Sequence, residues 1–228
     1  MGPQATAEGE VARGNMKIVS VNVGRPREID WKGKTIRTSI FKEPVQGRVR
    51  LETLNFVGDE QADLAVHGGP QKAVYGYASE HYDFWQQQLP GVHLPWGVFG
   101  ENLTTEGLLE EEINIGNQYQ LGSAVVMVTQ PRIPCYKLGV RFGRDDIVKR
   151  FLKSSRPGFY FSVIQEGEVG AGDALELVYR EAADVTVADI LRLYITDKQN
   201  LSLTRRAVQV AALADGWRDY FQRRLAQT

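Results

Sequence analysis

A mainly β domain, built as a barrel or a sandwich and followed by a small three-helix tail, is the fold this 228-residue sequence predicts. Three observations predict it. Short β-branched and aromatic runs recur between glycine, proline and asparagine punctuation from Met16 to about Arg180. Beyond Arg180 the apolar period switches to that of a helix. No apolar run exceeds the five residues of Ala124 to Val128, far short of the roughly twenty a membrane-spanning helix needs.

The elements follow in order. Ile18, Val19, Val21 and Val23 form a strand closed by Gly24-Arg25-Pro26. Trp31-Lys32-Gly33-Lys34 turns a hairpin whose second arm holds Thr35, Ile36, Thr38, Ile40 and Phe41. Strands are then predicted at Val49 to Leu54, Ala73 to Tyr77, Ile113 to Ile115, Tyr119 to Leu121 and Ala124 to Val128. Ser79 can cap a helix running to Gln88 before Leu89-Pro90-Gly91, and Asp145 opens another with Ile147, Val148, Phe151 and Leu152. Phe159 to Ile164 and Asp173 to Val178 complete the β part. In the tail, Thr186 and Asp189 make a capping box, a second helix spans about Leu203 to Leu213, and a third Asp215 to Ala226. Such short helices bury little by themselves, so the tail should pack on the β domain or across a homodimer. The expected division is a disordered lead over 1–15, a β domain over 16–180 and a helical domain over 184–228.

Lys and Arg total 27 against 28 Asp and Glu, without long like-charge runs, which argues against nucleic-acid or membrane-surface binding. Met1 to Asn15 lack the apolar stretch of a secretory signal. One cysteine cannot form an internal disulfide and fits a reducing, cytoplasmic setting. Gly33-Lys34-Thr35 is no phosphate-binding loop, because Glu28 stands where its first glycine is needed. His67, His81 and His93 have no zinc-site spacing.

That cysteine, Cys135, follows an apolar strand in Thr129-Gln-Pro-Arg-Ile-Pro-Cys-Tyr-Lys137. A lone cysteine is commonly a small buried hydrophobe. Here two prolines fix the turn, and Arg132 and Lys137 favour the thiolate, a soft metal ligand. Three other runs could converge on it. His67-Gly-Gly-Pro-Gln-Lys72 offers an anion-binding backbone nest beside two basic side chains. Gly100-Glu-Asn102-Leu-Thr-Thr105 offers an amide and hydroxyls suited to a polar heterocycle. Ser154-Ser-Arg156-Pro-Gly158 offers a guanidinium suited to phosphate, although Arg156 could equally cap a helix.

Taken together, HGGPQKAVYGY from His67 to Tyr77, GENLTTEGL from Gly100 to Leu108 and PRIPCYKL from Pro131 to Leu138 resemble the MOSC family, specifically its stand-alone, YiiM-like bacterial branch. The tail resembles the three-helix extension of that branch. The resemblance implies a MOSC-type β-barrel that binds the molybdenum cofactor, a pterin with a dithiolene and a terminal phosphate. It implies Cys135 as molybdenum ligand and catalytic residue, with Asn102, Thr129 and Arg132 contacting the cofactor and His67 and Lys72 in the branch's basic motif. Where amidoxime-reducing relatives carry an arginine, this chain has Gly100, so another basic residue must hold the phosphate, Arg48 and Arg156 being candidates. The implied activity is reduction of N-hydroxylated bases such as 6-hydroxylaminopurine to amines, with electrons from a separate reductase. The alternative is a cofactor or sulfur carrier working through a Cys135 persulfide.

Overall fold

The computed structural model describes residues 16–62 and 68–227. The lead expected over 1–15 and His67 lie outside the described residues. The strands are β1 (Lys17–Val23), β2 (Arg27–Trp31), β3 (Lys34–Thr38), β4 (Glu43–Pro44), β5 (Arg48–Leu51), β6 (Val74–Ala78), β7 (Leu103–Glu106), β8 (Gln118–Leu121), β9 (Ala124–Pro131), β10 (Phe159–Gln165), β11 (Gly167–Gly170) and β12 (Leu175–Tyr179). The helices are α1 (Glu80–Gln88), α2 (Tyr136–Phe142), α3 (Ile147–Ser154), α4 (Val187–Ile195), α5 (Leu201–Gln209) and α6 (Asp215–Ala226).

Eight strands form one sheet in the order β12-β8-β9-β10-β6-β7-β1-β4. Neighbours run antiparallel except β6 and β7, whose parallel pairing spans the crossover that contains α1. The ribbons β5–β11 and β2–β3 stand apart from it. Lys17 and Ala174 form a single bridge, flanked by Ile18 N donating to Asp173 O at 2.9 Å and Gly172 N to Ile18 O at 2.8 Å. The sheet therefore bends back until its ends touch, but no continuous ladder closes it, and the expected barrel holds only loosely.

Two cores hold this arrangement. In the first, Val21, Val126, Val128 and Phe161 of the sheet are buried with Ile190, Leu193 and Phe221 of α4 and α6. The tail thus packs on the sheet of its own chain. In the second, Tyr77 and Phe99 pack with Trp85 of α1, Leu138 of α2 and Phe151 of α3. Gly76 in β6 lets β10 come close, since a Cβ there would lie 2.6 Å from the Phe159 ring.

The Thr186–Asp189 capping box is present in both directions. The second tail helix runs Leu201–Gln209 rather than to Leu213, because Asn200 caps it from Leu203 N and Val210 turns extended. Ile113 to Ile115 form no strand; Asn114 makes one isolated bridge to Thr186. β4, β7, β11 and α2 are additions to the expected elements.

Candidate functional site

Cys135 stands at the N-cap of α2 with extended backbone (φ −119°, ψ 174°), and its side chain makes no capping bond. It lines a cleft of about 590 Å³, open mouth included. The end of β3 and the residues after it, Thr38, Ser39 and Ile40, form one wall. Lys42, Lys72, Arg132 and Lys137 bring four cationic side chains to the same space, and Tyr75 and Tyr160 add two phenols.

The anchoring of these groups is specific. Buried Asp59 accepts hydrogen bonds from Gly24 N at 2.7 Å and Asn102 Nδ2 at 2.9 Å, and pairs with the buried ammonium of Lys42. Burial is the larger influence on Lys42 and moves its pKa down, against the pull of Asp59. Arg132 is buried, its guanidinium 4.5 Å from the Tyr75 ring centroid and its Nη1 3.4 Å from Tyr75 Oη. Burial opposes its charge, yet its pKa moves up and the guanidinium stays protonated. Burial pushes both tyrosine pKa values up, so the phenols stay protonated around neutral pH. Burial pulls Lys72 down.

Of the residues singled out in the sequence, Cys135, Lys72, Asn102 and Arg132 come together in the cleft wall. The Asn102 amide is already committed, its Oδ1 accepting from Tyr75 N at 3.1 Å and its Nδ2 donating to Asp59. Thr129 sits behind the wall, its hydroxyl 2.7 Å from Gln71 O and 3.1 Å from Tyr160 O. Arg156 lies over Phe84 at 4.3 Å and bonds Ser154 O at the end of α3, the helix-capping alternative. Arg48 makes two 2.9 Å bonds to Asp173. Neither of those two arginines lines the cleft. At Gly100 φ is +86° and a Cβ would meet Ile40 Cγ1 at 2.9 Å, so an arginine there would be strained.

Sequence reasoning missed Ser39, Lys42, Asp59, Tyr75 and Tyr160 as site residues and used Lys137 only as a neighbour that favours the thiolate. Tyr75 and Lys137 lie inside the diagnostic runs, where proximity to Lys72 and Cys135 was a usable signal. Ser39, Lys42 and Asp59 carried none. The hydroxyl oxygen of Ser39 is buried without a hydrogen-bond partner among the described residues, although it lines the cleft. A buried, unpaired hydroxyl costs stability unless a ligand satisfies it.

The donor set fits an anionic, metal-bearing pterin: one soft sulfur, four cations and an unsatisfied hydroxyl share one space. Among the described residues no three His, Cys, Asp or Glu side chains converge as a metal site. Among the described residues, Cys135 would add one ligand to a metal that the cofactor itself carries.

No helix among the described residues is long and apolar enough to cross a membrane. Residues 63–176 match the MOSC domain, and residues 185–228 match the YiiM-like, 3-alpha helix domain. The chain is 42% identical over 207 residues to protein YflK of Bacillus subtilis, covering 91% of this chain and 93% of that one. A protein of Gibberella moniliformis named Reductase is 31% identical over 196 residues, 85% of this chain but 35% of that longer protein. The crystal structure of YiiM from Geobacillus stearothermophilus superposes with a TM-score of 0.78 at 34% identity, covering 92% of this chain and 99% of that one. With the cleft cysteine in its motif and both matches in chain order, the chain belongs to the MOSC family and carries the YiiM-like three-helix domain.

Proposed function

We propose that the cleft binds the molybdenum cofactor through Cys135 and that the protein reduces N-hydroxylated bases of the 6-hydroxylaminopurine type to amines. The observation that carries this reading is the placement of Cys135 in a cleft shared with Lys42, Lys72, Arg132 and Lys137. MOSC membership supports a molybdenum-cofactor-related role, and the relative named Reductase supports a redox one.

The cofactor, when bound, supplies the two-electron redox chemistry. The balance is R–NHOH plus two electrons and two protons to R–NH2 plus water: the N–O bond breaks, nitrogen is reduced, and the oxygen leaves as water. A separate reductase supplies the electrons. The chain's own residues bind and orient. Cys135 adds a thiolate ligand. Lys42, Lys72, Arg132 and Lys137 would hold the anionic cofactor, the duty for which Arg48 and Arg156 were candidates. Tyr160 keeps its phenol proton, and Arg132 is placed at the cleft wall against the Tyr75 ring.

The test compares molybdenum and pterin content of wild type and Cys135→Ser from a cofactor-producing host, then turnover of 6-hydroxylaminopurine with a chemical reductant. Stoichiometric metal lost in the variant, with amine formed by wild type, is expected. Loaded protein that leaves the substrate unchanged would sink the reductase reading. A Cys135 persulfide passed to an acceptor without turnover would favour the carrier.

A further inference from the structure

Behind the cleft, His81 of α1 and Glu110, which follows β7, form a buried pair that no step of the reduction uses, His81 Nε2 lying 2.7 Å from Glu110 Oε2. The other carboxylate oxygen, Oε1, accepts from Gly158 N at 2.7 Å. The Glu110 carbonyl accepts from Ala188 N, in the first turn of α4, at 2.9 Å. Two helices thus hold Glu110 while its carboxylate grips the Pro157-Gly158 corner ahead of β10.

Two residues hang on that corner, Tyr75 and Arg132, and both line the cleft with Cys135. Tyr75 Oη donates to Pro157 O at 2.9 Å, Arg132 N donates to Gly158 O at 3.2 Å, and Arg132 Nη1 lies 3.4 Å from Tyr75 Oη. The corner has no side chain of its own to fix it. Gly158 has φ +69°, and a Cβ there would lie 2.5 Å from Gly76 O and 2.7 Å from Tyr75 Cε2. Hydrogen bonds must hold it instead. The buried Gly158 N–H needs one acceptor, which any carbonyl could supply. Glu110 supplies a carboxylate, whose bond to an N–H is stronger than a neutral one, and His81 fixes its orientation. Burying such a pair adds little net stability, because desolvation offsets the attraction. Control of position accounts for it better.

We propose that Glu110, oriented by His81, is a positioning residue that sets Arg132 in the cleft wall for an anionic ligand, directly through Gly158 O and indirectly through Tyr75. The inference rests on the anion-binding reading of the cleft, but the clamp itself can be followed without any ligand.

The experiment titrates inorganic pyrophosphate into cofactor-free protein by calorimetry and follows amide exchange at Arg132 and Gly158 by NMR. Glu110→Ala should weaken pyrophosphate binding at least tenfold and speed both exchanges. Glu110→Gln keeps an acceptor for Gly158 N and should restore most of the affinity. In an Arg132→Ala background, Glu110→Ala should leave the remaining affinity unchanged, because its effect passes through Arg132. An equal loss in that background, the result of a merely loosened fold, overturns the proposal, as does wild-type affinity in Glu110→Ala. Should Glu110→Ala not fold, His81→Ala decides. It keeps the Gly158 bond but frees the carboxylate to turn, so severalfold weaker binding that vanishes in the Arg132→Ala background is expected, and wild-type binding overturns the proposal. If the wild type takes up no pyrophosphate, the anion-binding reading falls by itself and exchange decides the clamp: faster exchange at Arg132 in His81→Ala upholds it, and unchanged exchange overturns it.

Discussion

Asn102 and Tyr75 exchange two hydrogen bonds, Asn102 N donating to Tyr75 O at 2.8 Å and Tyr75 N donating to Asn102 Oδ1 at 3.1 Å. The Asn102 side chain thus substitutes for a backbone carbonyl where β6 and β7 begin their parallel pairing, and its Nδ2 reaches Asp59. Asn102→Ala leaves the buried Tyr75 N–H without its acceptor and removes one donor from Asp59. Each buried group left unpaired costs about 1–3 kcal/mol. The cofactor-free variant should therefore show a clearly lowered urea midpoint, and an unchanged midpoint would refute this account.

Ser39 should behave in the opposite way. Its buried hydroxyl has no partner among the described residues, so Ser39→Ala removes an unsatisfied group and leaves cofactor-free stability equal or higher. If the cofactor supplies the missing partner, the same variant should hold it about tenfold less tightly, the equivalent of about 1.4 kcal/mol. Pterin retention after dialysis reads this out.

Alkaline pH should expose the buried tyrosines. Tyr75, Tyr77, Tyr82 and Tyr160 all have pKa values raised chiefly by burial. Above about pH 10 the unfolded phenols ionise while the folded ones keep their protons. The native state then binds more protons, and stability falls as pH rises, by up to about 1.4 kcal/mol per unit for each group. Burial lowers Lys42 and Lys72, which oppose this only until the unfolded lysines also lose their protons near pH 10.4. Urea midpoints from pH 8 to 11, followed with tyrosinate absorbance, should show unfolding and phenol ionisation arriving together.

The tail reaches the cleft through three side chains. Trp217 Nε1 donates to Gln130 Oε1 at 3.2 Å, Gln130 Nε2 to Gln71 O at 3.0 Å, and Asp215 N to Gln71 Oε1 at 3.2 Å. Gln71 precedes Lys72 in a short 3-10 turn. Trp217→Phe keeps a ring for packing on Phe221 but removes the donor. Amide exchange over Gly68 to Lys72 should speed up severalfold while the thermal midpoint moves by only a few degrees. Unaltered exchange there would show that the turn holds without the tail.

What was legible in the sequence follows physical rules. β1, β9, β10 and β12 combine apolar runs or alternation with turn residues, and the Thr186 capping box is a local motif. β7 stayed hidden because its Leu-Thr-Thr-Glu looks polar, yet Thr104 and Thr105 are buried. α2 was concealed by Pro134 before it and Gly139 within it; tertiary burial of Leu138 and Val140 overrides that local preference. In the site, Cys135, Arg132, Lys72 and Asn102 were found through short runs of chain. Lys42, Asp59 and Ser39 reach the cleft by long-range folding, which no local pattern reports. Thr129 shows the converse, since a residue inside a motif can serve the wall behind the pocket.

The hydrogen bond from Asp215 to Gln71 joins residues 144 positions apart. During synthesis the turn beside Lys72 is made early and waits for its last partner. At about 5–20 residues per second, that wait is on the order of 7–29 s. Throughout this interval the growing chain presents the cationic turn before its clamp exists.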